Sequence, residues 1–150
     1  MRFMMLMIPG NGESVAPGNL PDVDGVIAMM KYNQALWQAG VLLALDGLHP
    51  PSMGARVSFA DGRPMVAEGP FAGAKDVPSG YWMIDVASRD EAIAWASRCP
   101  ASAGEAIEVR QVQEFTDFPV DVQQALTAHA DMQVQDAQQD GPRRRFIATS

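Results

Sequence analysis

The chain has 150 residues, 47% of them hydrophobic and 19% charged, with a formal net charge of −7 and a pI near 4.6. That composition suits a single globular domain, able to bury roughly 70% of the surface it exposes when unfolded, and excludes a disordered chain. The acidity argues against a nucleic-acid partner, which needs a basic face, and against docking on anionic membranes.

The opening run "MRFMMLMI" is too short for a secretory core or a membrane span and lacks a small-residue cleavage site, so residues 2–8 read as a first strand. "PGNGESVAPGNLPD" then marks a long loop. Pro21 suits the first turn of a helix, with Asp22 and Asp24 near its positive end. The spacing predicts that this helix turns Val26, Ile27, Met30 and Trp37 inward and stops at Gly40. "VLLALDGL", 41–48, reads as a second strand.

"ARVSFA" and "RPMVAEG", joined by Asp61-Gly62, predict a hairpin. "GYWMIDVA", 80–87, is the clearest strand, with Tyr81, Met83 and Asp85 on one face and Trp82, Ile84 and Val86 on the other. Ser88 and Glu91 form a capping box that opens a helix with Ala92, Ile93, Trp95 and Ala96 on its apolar side, closed by Pro100. "AIEVRQV", 106–112, alternates as the last strand.

The order is β-α-β, an inserted hairpin, then β-α-β, which is the ferredoxin-like α+β pattern βαββαβ with an insertion. Two helices cover one sheet face. The other face has no helix left although its strands are apolar at nearly every position, so a second copy of the chain is the simplest cover and a homodimer is expected. The domain is expected to run to about residue 115, followed by a helical extension over 116–140, through Val122, Leu126 and Ala130, and a flexible tail over 141–150. The arginines at 143–145 read as part of that solvated tail.

Cys99 is the only cysteine, so no internal disulfide forms and a reducing, cytoplasmic compartment fits. Its place at a helix C-terminus raises a thiol pKa, which disfavours a nucleophilic role. His49 and His129 lack metal-motif spacing, and no phosphate-cradling loop or Ser-His-Asp constellation is visible. Neither a metal nor a cofactor is expected.

The segments "GLHPP", "GARV", "VAEGPFAGAKDVPSGYWMIDVASRDEAIAWASRCP" and "IEVRQV" occur in an order that resembles the YCII-related, DGPF-domain family of small bacterial proteins, over roughly residues 2–115. The resemblance implies a ferredoxin-like unit that dimerises through its sheets, a dimeric α/β barrel, and an association with extracytoplasmic-function sigma factors. The family's Asp-Gly-Pro-Phe stands here as Glu68-Gly69-Pro70-Phe71, and a family Glu two residues on is Gly73, while Lys75 and Asp76 match. The His–Asp pair proposed for smaller relatives falls on Met29 or Met30 and on Cys99, so it does not carry over.

Each candidate residue has two readings. Glu68 is an acid/base or ligand anchor at a pocket mouth, or a carboxylate that orders its own turn. Gly69 and Pro70 shape the backbone, and with Phe71 they form the loop that would hold a small molecule. Lys75 meets an anionic ligand or pairs on the surface with Asp76. Asp85 lines a polar pocket or reaches solvent at a strand end. His49, on a stiff loop before two prolines, is a proton-transfer group or an exposed loop residue. Arg56 and Tyr81 offer an anion site and a hydroxyl donor, or surface charge and packing. Asn33, near the middle of the helical stripe, bonds a ligand or a loop carbonyl. Whether the chain is an enzyme stays open. Cofactor-free acid/base chemistry of a lyase, isomerase or dehydrochlorinase type would use His49 as base with Glu68 or Asp85 as partner, and a non-catalytic ligand-binding or regulatory module is the alternative.

Overall fold

The computed structural model describes residues 1–10, 22–71 and 76–128. Pro21, Gly73, Lys75, His129, Ala130 and the arginines at 143–145 lie outside the described residues. The chain divides into two compact units, Met1–Gln111 and Val112–Ser150.

In the first unit the elements are β1 (Arg2–Ile8), α1 (Val23–Gln38), β2 (Leu42–Gly47), β3 (Ala55–Ala60), β4 (Arg63–Glu68), β5 (Gly80–Asp85), α2 (Arg89–Ala96) and β6 (Ala106–Gln111). Four strands form one sheet in the order β2-β5-β1-β6, antiparallel throughout, and β3 pairs with β4 in a separate two-stranded ribbon. This is the ferredoxin-like α+β arrangement with an inserted hairpin. Alternation along β1 and β5 sends Phe3, Met5, Met7, Trp82 and Ile84 to the helix side, where Tyr32, Leu36 and Ala92 complete one buried core. Phe3, Met5, Leu36 and Ile84 are fully buried, each contributing roughly 1.5–3 kcal/mol by leaving water. Met4, Leu6, Tyr81 and Met83 face the other way and are half-buried.

The helix ends follow the sequence. Gly40 takes a positive φ of 72° just beyond α1, and Val41 N–H reaches back to the Leu36 carbonyl at 3.2 Å, a Schellman-type stop. Ser88 Oγ accepts from Glu91 N–H at 3.1 Å, while the Glu91 carboxylate takes the Ala87 N–H at 2.9 Å instead of that of Ser88.

Two helix faces differ from expectation. On α1 the buried line is Tyr32 and Leu36 with Met29 packed beside them, whereas Val26, Ile27, Met30 and Trp37 point outward. The helix carries two apolar stripes at helical spacing, and the sheet takes the one bearing Tyr32, whose hydroxyl finds the Trp95 carbonyl at 3.0 Å. On α2, Ile93 is likewise exposed and Ala92, Trp95 and Ala96 face the core, as does Cys99 just beyond the helix.

The second unit holds a 3-10 turn at Phe115–Asp117, capped reciprocally by Glu114 and Asp117, and a helix α3 (Val120–Ala128). Val122 and Leu126, the expected apolar side of this helix, are exposed. Among the described residues no helix is long and apolar enough to cross a membrane.

Candidate functional site

Most of the residues singled out from the sequence gather at one junction. A 3-10 turn at Pro51–Met53 follows β2, with Met53 N–H bonded to the Pro50 carbonyl at 2.9 Å and Gly54 N–H to that of Pro51 at 3.1 Å. At the end of β4, Gly69 N–H donates to the Gly54 carbonyl at 2.9 Å. A Cβ on Gly69 would stand 1.6 Å from the Pro51 carbonyl oxygen, so the two backbones approach as closely as they do only because this residue is glycine. The Gly69–Pro70 peptide bond is cis. The Arg56 guanidinium lies 4.4 Å above the Phe71 ring, a cation–π contact that turns one end of the hairpin onto the loop. Thus Gly69 and Phe71 are held by residues 51–56, and the family motif is first of all a packing unit.

Two titratable groups flank that unit. His49 precedes Pro50 and Glu68 precedes Gly69; both are exposed. Among the described residues neither side chain makes a hydrogen bond or an ion pair, while the surrounding backbone is fixed. Lys75 lies outside the described residues.

The sheet face turned away from the two helices supplies a second polar group nearby. Tyr81 sits opposite Asp46 in the β2–β5 register, and its hydroxyl donates to Asp46 Oδ2 at 2.9 Å. That hydrogen bond, with lesser contributions from burial and the Asp46 charge, raises the Tyr81 pKa above its ordinary value. Asp46 is three residues before His49, so the Tyr81–Asp46 pair stands at the end of the sheet from which the junction departs. Asp85 is at the other end of β5, roughly 13 Å along the strand from Tyr81 at about 3.3 Å per residue. It is exposed and accepts from the Met1 amino group at 2.8 Å. His49 and Asp85 are therefore at opposite ends of the sheet.

Asn33 is half-buried against the core, and its partner is a side chain rather than a loop carbonyl. Its Oδ1 accepts from the Trp82 indole N–H at 2.8 Å, and Tyr32 meets the Trp82 ring edge-on at 5.7 Å. The amide thus satisfies the polar handle of a buried aromatic on the helix side of the sheet. Cys99 is half-buried against the core cluster, and burial, reinforced by Glu105, pushes its thiol up to about 11.

Asp46 is the residue that the sequence reading passed over. It closes an apolar run, and a register shift between Leu42 and Ala44 decides which face it meets. The available signal was the pairing of an acidic strand residue with a tyrosine on the neighbouring strand. Among the described residues no group of three or more His, Cys, Asp or Glu side chains is placed to hold a metal ion. A groove of about 460 Å³ lies in the C-terminal unit, lined by Phe115, Val120, Gln123, Gln124 and Thr127, none of them a candidate from the sequence.

Comparison with known proteins agrees with this architecture. No curated protein matches the chain. A family model for the YCII-related domain matches residues 1–116, which include the whole sheet, both of its helices and the Glu68–Phe71 junction. The chain belongs to the YCII-related domain family.

Proposed function

We propose that this chain is a homodimeric bacterial protein of the cytoplasm that binds a small molecule where the 49–54 loop, Glu68–Phe71 and the Tyr81 end of the sheet meet. The observation that carries the reading is a contrast within one junction. Gly69, Arg56 and Phe71 are fixed by packing, whereas His49 and Glu68, the groups suited to a ligand, are left without partners among the described residues.

The chemistry assigned to this site is cofactor-free proton transfer of a lyase or isomerase kind. His49 serves as base and Glu68 as orienting or acid partner, and the Tyr81 hydroxyl turns its one proton from Asp46 to the developing negative charge of the ligand. Arg56 and Lys75 favour an anionic ligand. Asp85, the other carboxylate considered, lies too far along β5 to share that group. The apolar Met4, Leu6 and Met83 on the sheet face turned away from the two helices support the homodimer.

A second reading, a non-catalytic ligand-binding or regulatory module linked to sigma-factor signalling, is favoured by the His49 side chain having, among the described residues, no orienting partner of the kind a catalytic base commonly has. Native mass spectrometry of freshly purified protein tests both. A dimer with added mass, released in His49→Ala or Glu68→Gln, supports the pocket. Retention of the same mass in both variants refutes its placement. Turnover of the identified compound separates enzyme from binder.

A further inference from the structure

The β3–β4 hairpin is well specified and yet uncovered. Its turn places Asp61 at φ 50° and Gly62 at φ 73°, the pair of positive values that a two-residue type I′ turn demands. Its register runs unbroken from Ala55–Glu68 to Ala60–Arg63, and the Gly69–Gly54 bond fastens its base. Every residue of both strands is nevertheless exposed. A two-stranded ribbon of this kind is at best marginally stable in water without a third layer.

The register also makes the hairpin two-faced. Val57 pairs with Val66 and Phe59 with Pro64, so these four share one side, while Arg56, Ser58, Arg63 and Met65 share the other. Arg56 turns that second side toward Phe71 at the base. The apolar side is left open, with Val57 50%, Phe59 77% and Val66 65% exposed.

We infer that the apolar side of this hairpin is an arm that packs on a second copy of the chain. The inference rests on the homodimer proposed above and adds where the partner is gripped. Two quantities select this occupant. The first is area: Val57, Phe59, Pro64 and Val66 together offer on the order of 350 Å² of apolar surface, at the scale of a functional patch on a monomer. In a two-fold pair each copy gives one arm and receives another, which doubles the contribution to about 700 Å² per partner, close to the ~800 Å² of a standard specific interface. The second is charge. The chain carries −7, so two copies repel, but residues 55–68 sum to zero, with Arg56 and Arg63 against Asp61 and Glu68, so the hairpin adds nothing to that repulsion, and Glu68 at its base is the one strand charge on the apolar side. The arm's base is also the Glu68–Phe71 junction, so a partner seated on the arm lies next to the candidate site.

Sedimentation velocity on the full chain from about 1 to 100 μM, with Phe59→Ser/Val66→Ser alongside wild type, tests the arm. The expected result is a wild-type dimer and a double variant whose dissociation constant rises at least ~30-fold, the loss typical of a central apolar contact. Neither residue contributes to the core, so near-UV circular dichroism of the variant should match wild type. Should the variant lose that signal, slowed amide exchange over residues 55–68 in the concentrated wild type, relative to the diluted protein, decides in its place. A variant that dimerises as wild type does overturns the arm and leaves the homodimer standing through another face. A wild type that stays monomeric at 100 μM overturns both, and gives the arm to a partner of another kind.

Discussion

Replacing Gly69 by alanine puts the central steric claim to a direct test. The added Cβ would sit 1.6 Å from the Pro51 carbonyl oxygen, 2.6 Å from its carbon and 3.1 Å from the Gly54 oxygen. All are backbone atoms, so no flexible side chain can swing away. Relief requires the Pro51–Met53 turn or the end of β4 to move. Forcing one methyl group into a filled space typically costs about 1–3 kcal/mol. Displacing β4 also breaks the 2.9 Å Gly69–Gly54 hydrogen bond, worth roughly 1 kcal/mol net. The expected loss is therefore about 2–4 kcal/mol, or roughly 4–16 °C in Tm for a chain of this size. Thermal and urea unfolding followed by circular dichroism measure it, with amide exchange at Gly69 as the local readout. Gly25→Ala is the control: nothing lies within 4 Å of its new Cβ, and on α1 the change should stabilise by up to about 1 kcal/mol. A Gly69→Ala protein melting within about 1 °C of wild type, with unchanged Gly69 exchange, would refute the reasoning.

Two further outcomes follow from titrating groups. Asp46→Asn should lower the Tyr81 pKa toward its ordinary value, because the hydrogen bond to a charged acceptor is the largest cause of its rise; ultraviolet pH titration of the phenolate reads the shift. The Cys99 thiol, held up at about 11, should react with iodoacetamide at pH 8 roughly 100-fold more slowly than an ordinary cysteine, since a two-unit rise lowers the thiolate fraction by that factor. The same shift sets a pH dependence. A group with its folded pKa raised lends stability below its unfolded value and loses it as pH climbs through the folded one, so Cys99, together with Tyr32, should make stability fall above about pH 9. Urea midpoints between pH 8 and 11 check the sign, and Cys99→Ala should flatten the fall.

Strand order, hairpin and helix stops were legible because each rests on a local rule: period-two alternation in β5, Asp-Gly at a positive-φ turn, Gly40 after α1. The side of α1 that meets the sheet was not. Val26, Met30 and Trp37 satisfy the helical period as well as Met29, Tyr32 and Leu36 do, and only the tertiary partners of Tyr32 and Asn33 choose between them. The site was legible in its parts and not in its grouping. The motif pointed to Glu68–Phe71 and the prolines to His49, but the contact between Pro51 and Gly69 joins positions that no periodicity links. Asp46 was hidden by the irregularity at Leu42–Ala44, because a one-residue shift changes the face of every residue after it.

The placement of the three tryptophans has an optical consequence. Trp82 is buried, its indole N–H bonded to Asn33, and Trp95 lies under the Arg98 guanidinium at 4.1 Å, whereas Trp37 is mostly in solvent. Unfolding changes the surroundings of the first two and leaves those of the third nearly as they were. The emission spectrum of the native protein is thus a composite of a blue core signal and a red surface one, and its red component is already present before any unfolding begins. A Trp37→Phe background would leave fluorescence reporting on the sheet–helix core alone.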